Sequence, residues 1–287
     1  VSIDVVDGHE AQVGGITVRR VLPRRGLRTV GPWCFADQMG PVEVTEESGL
    51  DVGPHPHTGL QTVTWLMAGA ALHKDSLGSE QLIRPGQLNL MTAGHGIVHA
   101  EEATRTYRGT LHGMQLWVAQ PDALRTGASD FAHHADLPAV EVGGAVGTVL
   151  AGTFLGATSP ARFGSPIVGV DLVLPAGATL LPLEPAWEHA VVPVDGAARV
   201  AGDVVRPGQL GSLGSGRAEV VLEGPARVLL LGGEPLDEPL VMWWNFVARS
   251  REEIALAYRQ WQDGDGRFGG VPSRLARIPA PPPPWLG

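Results

Sequence analysis

Two short stretches of this 287-residue chain carry residue types suited to holding a metal ion. In Gly-Pro-His-Pro-His-Thr-Gly, His55 and His57 stand at i, i+2; in His-Gly-Ile-Val-His-Ala-Glu-Glu, His99 and Glu101 do so again. On a strand, residues two apart project from the same face, with Cα atoms about 7 Å apart from the strand rise, so each pair can converge on one ion. Two such pairs on facing strands offer three imidazole nitrogens and one carboxylate oxygen. That donor set suits Fe(II), Mn(II), Ni(II), Cu(II) or Zn(II) and leaves positions open on an octahedral metal. A closed four-ligand zinc site leaves none for substrate or O₂. An isolated His-x-His is more often solvated or hydrogen-bonded than metallated; the second pair, after a strand-rich stretch, makes metal the better reading. Glu102 points to the opposite face and is the weaker ligand candidate.

The elements that must position these residues read as strands. Runs such as Gln61–Met67, Gln87–Met91, Leu116–Val118, Val168–Val173, His189–Val194, Ala218–Leu222 and Arg227–Leu231 are separated by Gly- and Pro-containing turns. Many short strands at that spacing predict an all-β sandwich or barrel. A βαβ fold needs helical stretches between strands, and none is visible before residue 249. One helix is predicted after Ser250, with Glu253 completing a capping box. Ile254, Ala257, Tyr258 and Trp261 form its apolar stripe and Gly264 its end, so it is expected to dock a partner or, more simply, to cover an open sheet edge. Pro279–Pro284 reads as a polyproline stretch, either a partner ligand or an inert, poorly ordered end.

The segment Pro121–Pro138 loses strand alternation and suggests a boundary, giving expected domains 1–130 and 131–287. "IRPGQLNLM" in the first half and "VRPGQLGSL" in the second hint at a duplicated architecture. The formal net charge is −9, which argues against direct nucleic-acid binding. No apolar run is long enough for a membrane helix. The acidic opening residues Asp4, Asp7 and Glu10 do not resemble a signal peptide, so a cytoplasmic location is expected. The single cysteine, Cys34, excludes an internal disulfide and reads as a small buried apolar residue.

"HPHTGLQTVTWL", "DSLGSEQLIRPGQLNLMTAGHGIVHAEE" and "LHGMQLWV" resemble the pirin family of the cupin superfamily, as do "GGEPLDEPLVMWWNFV", "SREEI" and "GRFG" further on. The resemblance covers about residues 15 to 270. It implies a bicupin: two antiparallel jelly-roll barrels facing each other, a short C-terminal helix, and one metal in the N-terminal barrel. The implied ligands are His55, His57, His99 and Glu101, with Fe(II) first among the divalent transition metals and Mn, Ni, Cu, Co or Zn as alternatives. The implied activity is that of a quercetin 2,3-dioxygenase, with a flavonol and O₂ as substrates and Glu101 as the base for the 3-hydroxyl proton. The rival reading is a metal- or redox-sensing regulator, a monomer that binds a metabolic enzyme or a transcription complex.

Gln61 stands where the cupin motif usually has Glu. Thr58 and His95 stand where many pirins carry Arg, which predicts a rim less attractive to anions. His95 is expected at the rim or behind the ligands, with a fifth-ligand or proton-shuttle role as the alternative. His112 is expected in the core or lining the pocket, and His73 near a hairpin at the entrance. His133 and His134 are expected to be solvated. His189, the only histidine of the second barrel, has no partner, so that barrel is expected to hold no metal.

Overall fold

The computed structural model describes residues 2–286. The chain is all-β apart from the helix Arg251–Asp263 and one turn of 3-10 helix. Its contacts divide it into two compact units that are not contiguous in sequence. One comprises the opening residues as far as Ala11, Arg19–Gln38 and His134–Leu236; the other comprises Gln12–Val18, Met39–His133 and the chain from Asp237 onward. Relative to a linear division at residue 130, the two ends of the chain change places. The reason is pairing: strand Asp4–Asp7 lies beside Gln209–Gly214, whereas the C-terminal segment packs on strand Val52–His57. No helix among the described residues is long and apolar enough to cross a membrane.

The unit containing His55 is built from two antiparallel sheets. The smaller runs in the order Val52–His57, Ile97–Glu102, Ala71–Asp75, Glu80–Ile83. In the larger, Leu60–Ala68 is flanked by Leu88–Thr92 and by the central strand Gly109–Ala119. The two face each other, since His57 of the smaller sheet touches Trp117 of the larger edge-on at 5.1 Å, and His73 stacks on Phe131. Phe131 lies on strand Asp130–His134, an edge of the larger sheet. The stretch read as a linker therefore contains a strand, and His133 is not simply solvated: its Nδ1 meets the Asn89 side-chain oxygen at 2.7 Å. Polar composition hid an edge strand, the position in a sheet that best tolerates polar residues.

The other unit is a single ten-stranded sheet around an apolar cluster that includes Val149, Val170, Leu172, Val191, Leu222 and Leu230. Its longest strands, Ile167–Pro182 and Glu219–Gly233, pair along their whole length, with a bulge at Ala176/Gly177. The repeated Arg-Pro-Gly-Gln sequence forms the same turn in both units. Gln87 N–H donates to Arg84 C=O and Gln209 N–H to Arg206 C=O, and each glutamine side chain accepts from the arginine N–H. Gly86 and Gly208 sit at φ +80° and +86°, the conformation that a type II turn with Pro at its second position demands of its third residue.

Strand Val52–His57 is buried at every position. Its inner face carries the histidines and its outer face lies under the C-terminal segment. There Val98, Phe246, Ile254, Ala257, Trp261, Phe268 and Ala280 form one apolar cluster. Val98 points outward because His99, its neighbour, points inward. The helix packs on the hairpin Val241–Trp243 and Phe246–Ala248 and on the 3-10 turn Gly266–Phe268, and Phe246 in turn bridges to Thr58 at the end of the small sheet's edge strand Val52–His57. The proline-rich tail is also docked, not loose: Ile278 N–H donates to Pro54 C=O, Trp261 Nε1–H to Ile278 C=O and Trp243 Nε1–H to Pro281 C=O. Ser250 caps the helix by accepting from Glu253 N–H at 3.2 Å. Glu253 does not return the bond to Ser250. It accepts from Arg249 N–H and from the Arg125 guanidinium instead, so only half of the expected capping box forms. Ser250→Ala should destabilise this unit by about 1 kcal/mol, read as a lower urea midpoint at unchanged slope.

Candidate metal centre

His55 and His57 come from one strand and His99 from its neighbour. In the antiparallel register His57 lies opposite Ile97, and His55 opposite His99. The three imidazoles point into the barrel and each offers a nitrogen within 4.8 Å of the other two. Among the described residues this is the one group of three or more such side chains gathered in this way. The ring centroids stand 5.1 Å apart for His55–His57, 4.3 Å for His55–His99 and 4.9 Å for His57–His99.

All three are neutral at pH 7. Burial pulls His55 down to about 4, against an opposing hydrogen bond to Gly53. Burial first, and then the neighbouring imidazoles, hold His57 and His99 well below the usual histidine range. Neutral imidazole is the form that ligates metals. His55 Nδ1–H donates to Gly53 C=O at 2.8 Å, which leaves its Nε2 lone pair free. His57 and His99 present Nε2 atoms 3.1 Å apart. Two cis ligands at right angles on bonds of about 2.1 Å stand about 3.0 Å apart, so the spacing fits a shared metal. His57 Nδ1 is buried without a hydrogen-bond partner, although the Asn245 backbone pulls weakly on the ring. Such a buried polar atom is costly, and it accepts its proton usefully when Nε2 is given to a cation. The donor set therefore fits one transition metal.

Glu101 lies on the same strand, beyond a bulge between His99 and Glu101. It is buried, and desolvation alone pushes its carboxyl up to about 7. It is not one of the tightly gathered group. Glu102 faces the other way, paired with Lys74 and Arg274 and accepting from the Ser273 hydroxyl. Gln61 is buried and donates to the Thr92 hydroxyl across its strand pair. His112 is half-buried opposite Ala68. His95 is exposed and is not gathered with the triad. With Thr58 it lines a cavity of about 300 Å³ that also holds Arg125 and Arg267. Two arginines from elsewhere in the chain therefore stand by the two positions where many pirins carry Arg.

His73 was underestimated from sequence. It is buried rather than at an entrance, and it stands between His99 and Asp75: its Nδ1 is 3.4 Å from His99 Nδ1, and its Nε2 3.0 Å from Asp75 Oδ2. The signal was present as His73-x-Asp75, another i, i+2 pair. In the other unit His189 is buried beside Trp187 in a cavity of about 290 Å³ that Glu184 also lines, and no group of three such side chains is gathered there among the described residues. Cys34 is buried, as its apolar reading requires.

Comparison with known proteins matches this geometry. The Pirin family model matches residues 15–118, and the Pirin C-terminal cupin domain model matches residues 169–269. A Pseudomonas aeruginosa protein, provisionally named a quercetin 2,3-dioxygenase, is 48% identical over 98% of this chain and 90% of its own length. A pirin-like protein of Caulobacter vibrioides is 39% identical over 91% of this chain and 94% of its own. The crystal structure of quercetin 2,3-dioxygenase from Acinetobacter baumannii superposes with a TM-score of 0.96 at 45% identity, covering 99% of this chain and 96% of that one. Two family matches on two β units, with a buried three-histidine cluster inside the first match, place the chain in the pirin family of bicupins.

Proposed function

We propose that this protein holds one divalent transition metal on His55, His57, His99 and Glu101, and that it uses the metal to oxygenate a flavonol with O₂. The observation that carries the reading is the convergence of three neutral, buried imidazole nitrogens beside an uncompensated carboxyl. The names of the similar Pseudomonas and Acinetobacter proteins support the reaction class. Iron(II) suits this mixed nitrogen and oxygen set. The metal, when bound, supplies a Lewis acid and a template that orients the substrate's 3-hydroxyl.

The chain's own residues do the rest. The three imidazoles are already desolvated and fixed by strand pairing, so little reorganisation accompanies binding. Trp117 closes one side of the site edge-on against His57, which excludes water and offers an apolar wall to a flat substrate. Glu101 is the one acidic residue of the set. Its carboxyl, whose burial disfavours the charged form, is the candidate to receive the phenolic proton, and it would leave the cation to do so.

Three measurements test this reading. Purified protein should contain close to one metal per chain; His57→Ala should lose most of it, and His189→Gln should keep it. Full metal content in His57→Ala rejects the assignment. Quercetin should lose its visible absorbance under air and not under nitrogen. If loaded wild-type protein leaves it unchanged under air, the regulatory reading of the same centre takes precedence. Glu101→Gln keeps the shape and one coordinating oxygen while removing the base, so turnover per bound metal should fall by about 10²–10⁴-fold; turnover near wild type would leave Glu101 a ligand only.

A further inference from the structure

Behind His99 runs a chain of polar groups that the oxygenase reading does not use. Asp75 is almost fully buried, at 1% exposure. One carboxylate oxygen accepts from Leu77 N–H at 2.9 Å and Ser79 N–H at 3.1 Å, and the other faces His73 Nε2 at 3.0 Å. His73 is clamped flat on Phe131, with ring centroids 4.4 Å apart and planes 14° apart. Its Nδ1 faces His99 Nδ1 at 3.4 Å. Across the strands, Asp75 lies opposite His99, and His73 opposite Glu101.

The geometry points to Asp75 as a positioning residue that acts through His73 to fix which nitrogen of His99 carries the proton. This inference rests on the metal reading above. An ionised carboxylate only accepts, so His73 must carry its proton on Nε2 to donate. With its one proton held on Nε2, His73 has a lone pair on Nδ1. His99 must answer it with an Nδ1–H, and its Nε2 is left as a lone pair aimed at the His55 and His57 nitrogens. Phe131 prevents His73 from turning over and presenting a different edge. Partners of this kind, standing behind a ligating imidazole, orient it and set its tautomer.

Asp75→Asn should invert this pattern. The amide oxygen must stay on Leu77 N–H and Ser79 N–H, because both are donors, so the amide nitrogen is turned toward His73 Nε2. That nitrogen donates as well, and the pattern inverts: His73 takes its proton on Nδ1, and His99 takes its own on Nε2, covering the lone pair meant for the metal. The test uses full-length, metal-free protein with ¹⁵N-labelled histidine, and separately a Ni(II) dissociation constant by chelator competition. Wild type should show His99 protonated at Nδ1, and Asp75→Asn should show it protonated at Nε2. Ni(II) binding should weaken by about 10–100-fold.

Asp75 also shapes the turn that follows it, so His73→Phe runs alongside. It keeps the stack on Phe131 and the turn, removes the acceptor, and should give a mixture of His99 tautomers with a similar loss of Ni(II) affinity. An Asp75→Asn protein that keeps Nδ1–H on His99, or a pair of folded variants that bind Ni(II) as wild type does, would overturn the inference. His57→Ala separates the two readings. If it too binds Ni(II) at full strength, the metal centre is wrong, while the nitrogen resonances still decide whether Asp75 sets the tautomer.

Discussion

The pairing of Val52–His57 with Ile97–Glu102 is the constraint on which the centre depends. Side chains alternate along a strand, so a slip of one residue would turn His99 outward and Val98 inward. The register that sets His55 opposite His99 brings both histidine pairs to one side of the sheet. A regular ladder would then put Glu101 opposite Gly53. The bulge after His99 puts it opposite Val52 instead. Bulges re-aim side chains at functional sites, and this one falls between the three gathered imidazoles and Glu101, which is not gathered with them.

The same strand must be sealed on its outer face. Water reaching the ligands from behind would rehydrate them and undo the desolvation that keeps them neutral. The C-terminal segment provides the seal, and it lies so close that a Cβ on Gly53 would fall 2.1 Å from Ala276 C=O. Gly53 is therefore fixed twice over, by this close approach and by the carbonyl that it gives to His55 Nδ1. The cost of excluding water appears at Glu101, whose carboxyl rises because nothing charged compensates its burial. A cation would supply that compensation, so the fold and the donor set call for the same occupant.

How much of this was legible in the sequence follows from the range of each interaction. His55, His57 and His99 could be found because ligands on one strand repeat at a spacing of two, and the turn residues between runs announced strands. The all-β class and the single helix were legible for the same local reason. His73 was not, although His73-x-Asp75 has the same spacing. Its meaning depends on the neighbouring strand, Ala71–Asp75, lying beside Ile97–Glu102, and only long-range pairing decides that. The docking of Pro279–Pro284 was equally hidden: proline runs carry no pattern that names a partner. The strand Asp130–His134 was masked by its polarity, which is what an edge strand is permitted to have.

The two units show which features of this architecture are imposed and which are chosen. Arg-Pro-Gly-Gln recurs because the turn itself dictates it: proline fixes one backbone angle, glycine supplies the positive φ, and glutamine returns to the arginine N–H in both places. Nothing in a sheet dictates what its inward positions carry, so long as they fill the space. In the unit of His189 those positions hold Val168, Val170, Leu172, Val191 and Leu230, and His189 belongs to no group of three ligand-bearing side chains among the described residues. In the other unit the equivalent kind of face carries three imidazoles and a carboxylate at the cost of apolar packing. A bound ion would recover burial energy there beyond what the hydrogen bonds supply, so the concentration of polar groups on one sheet supports the metal reading.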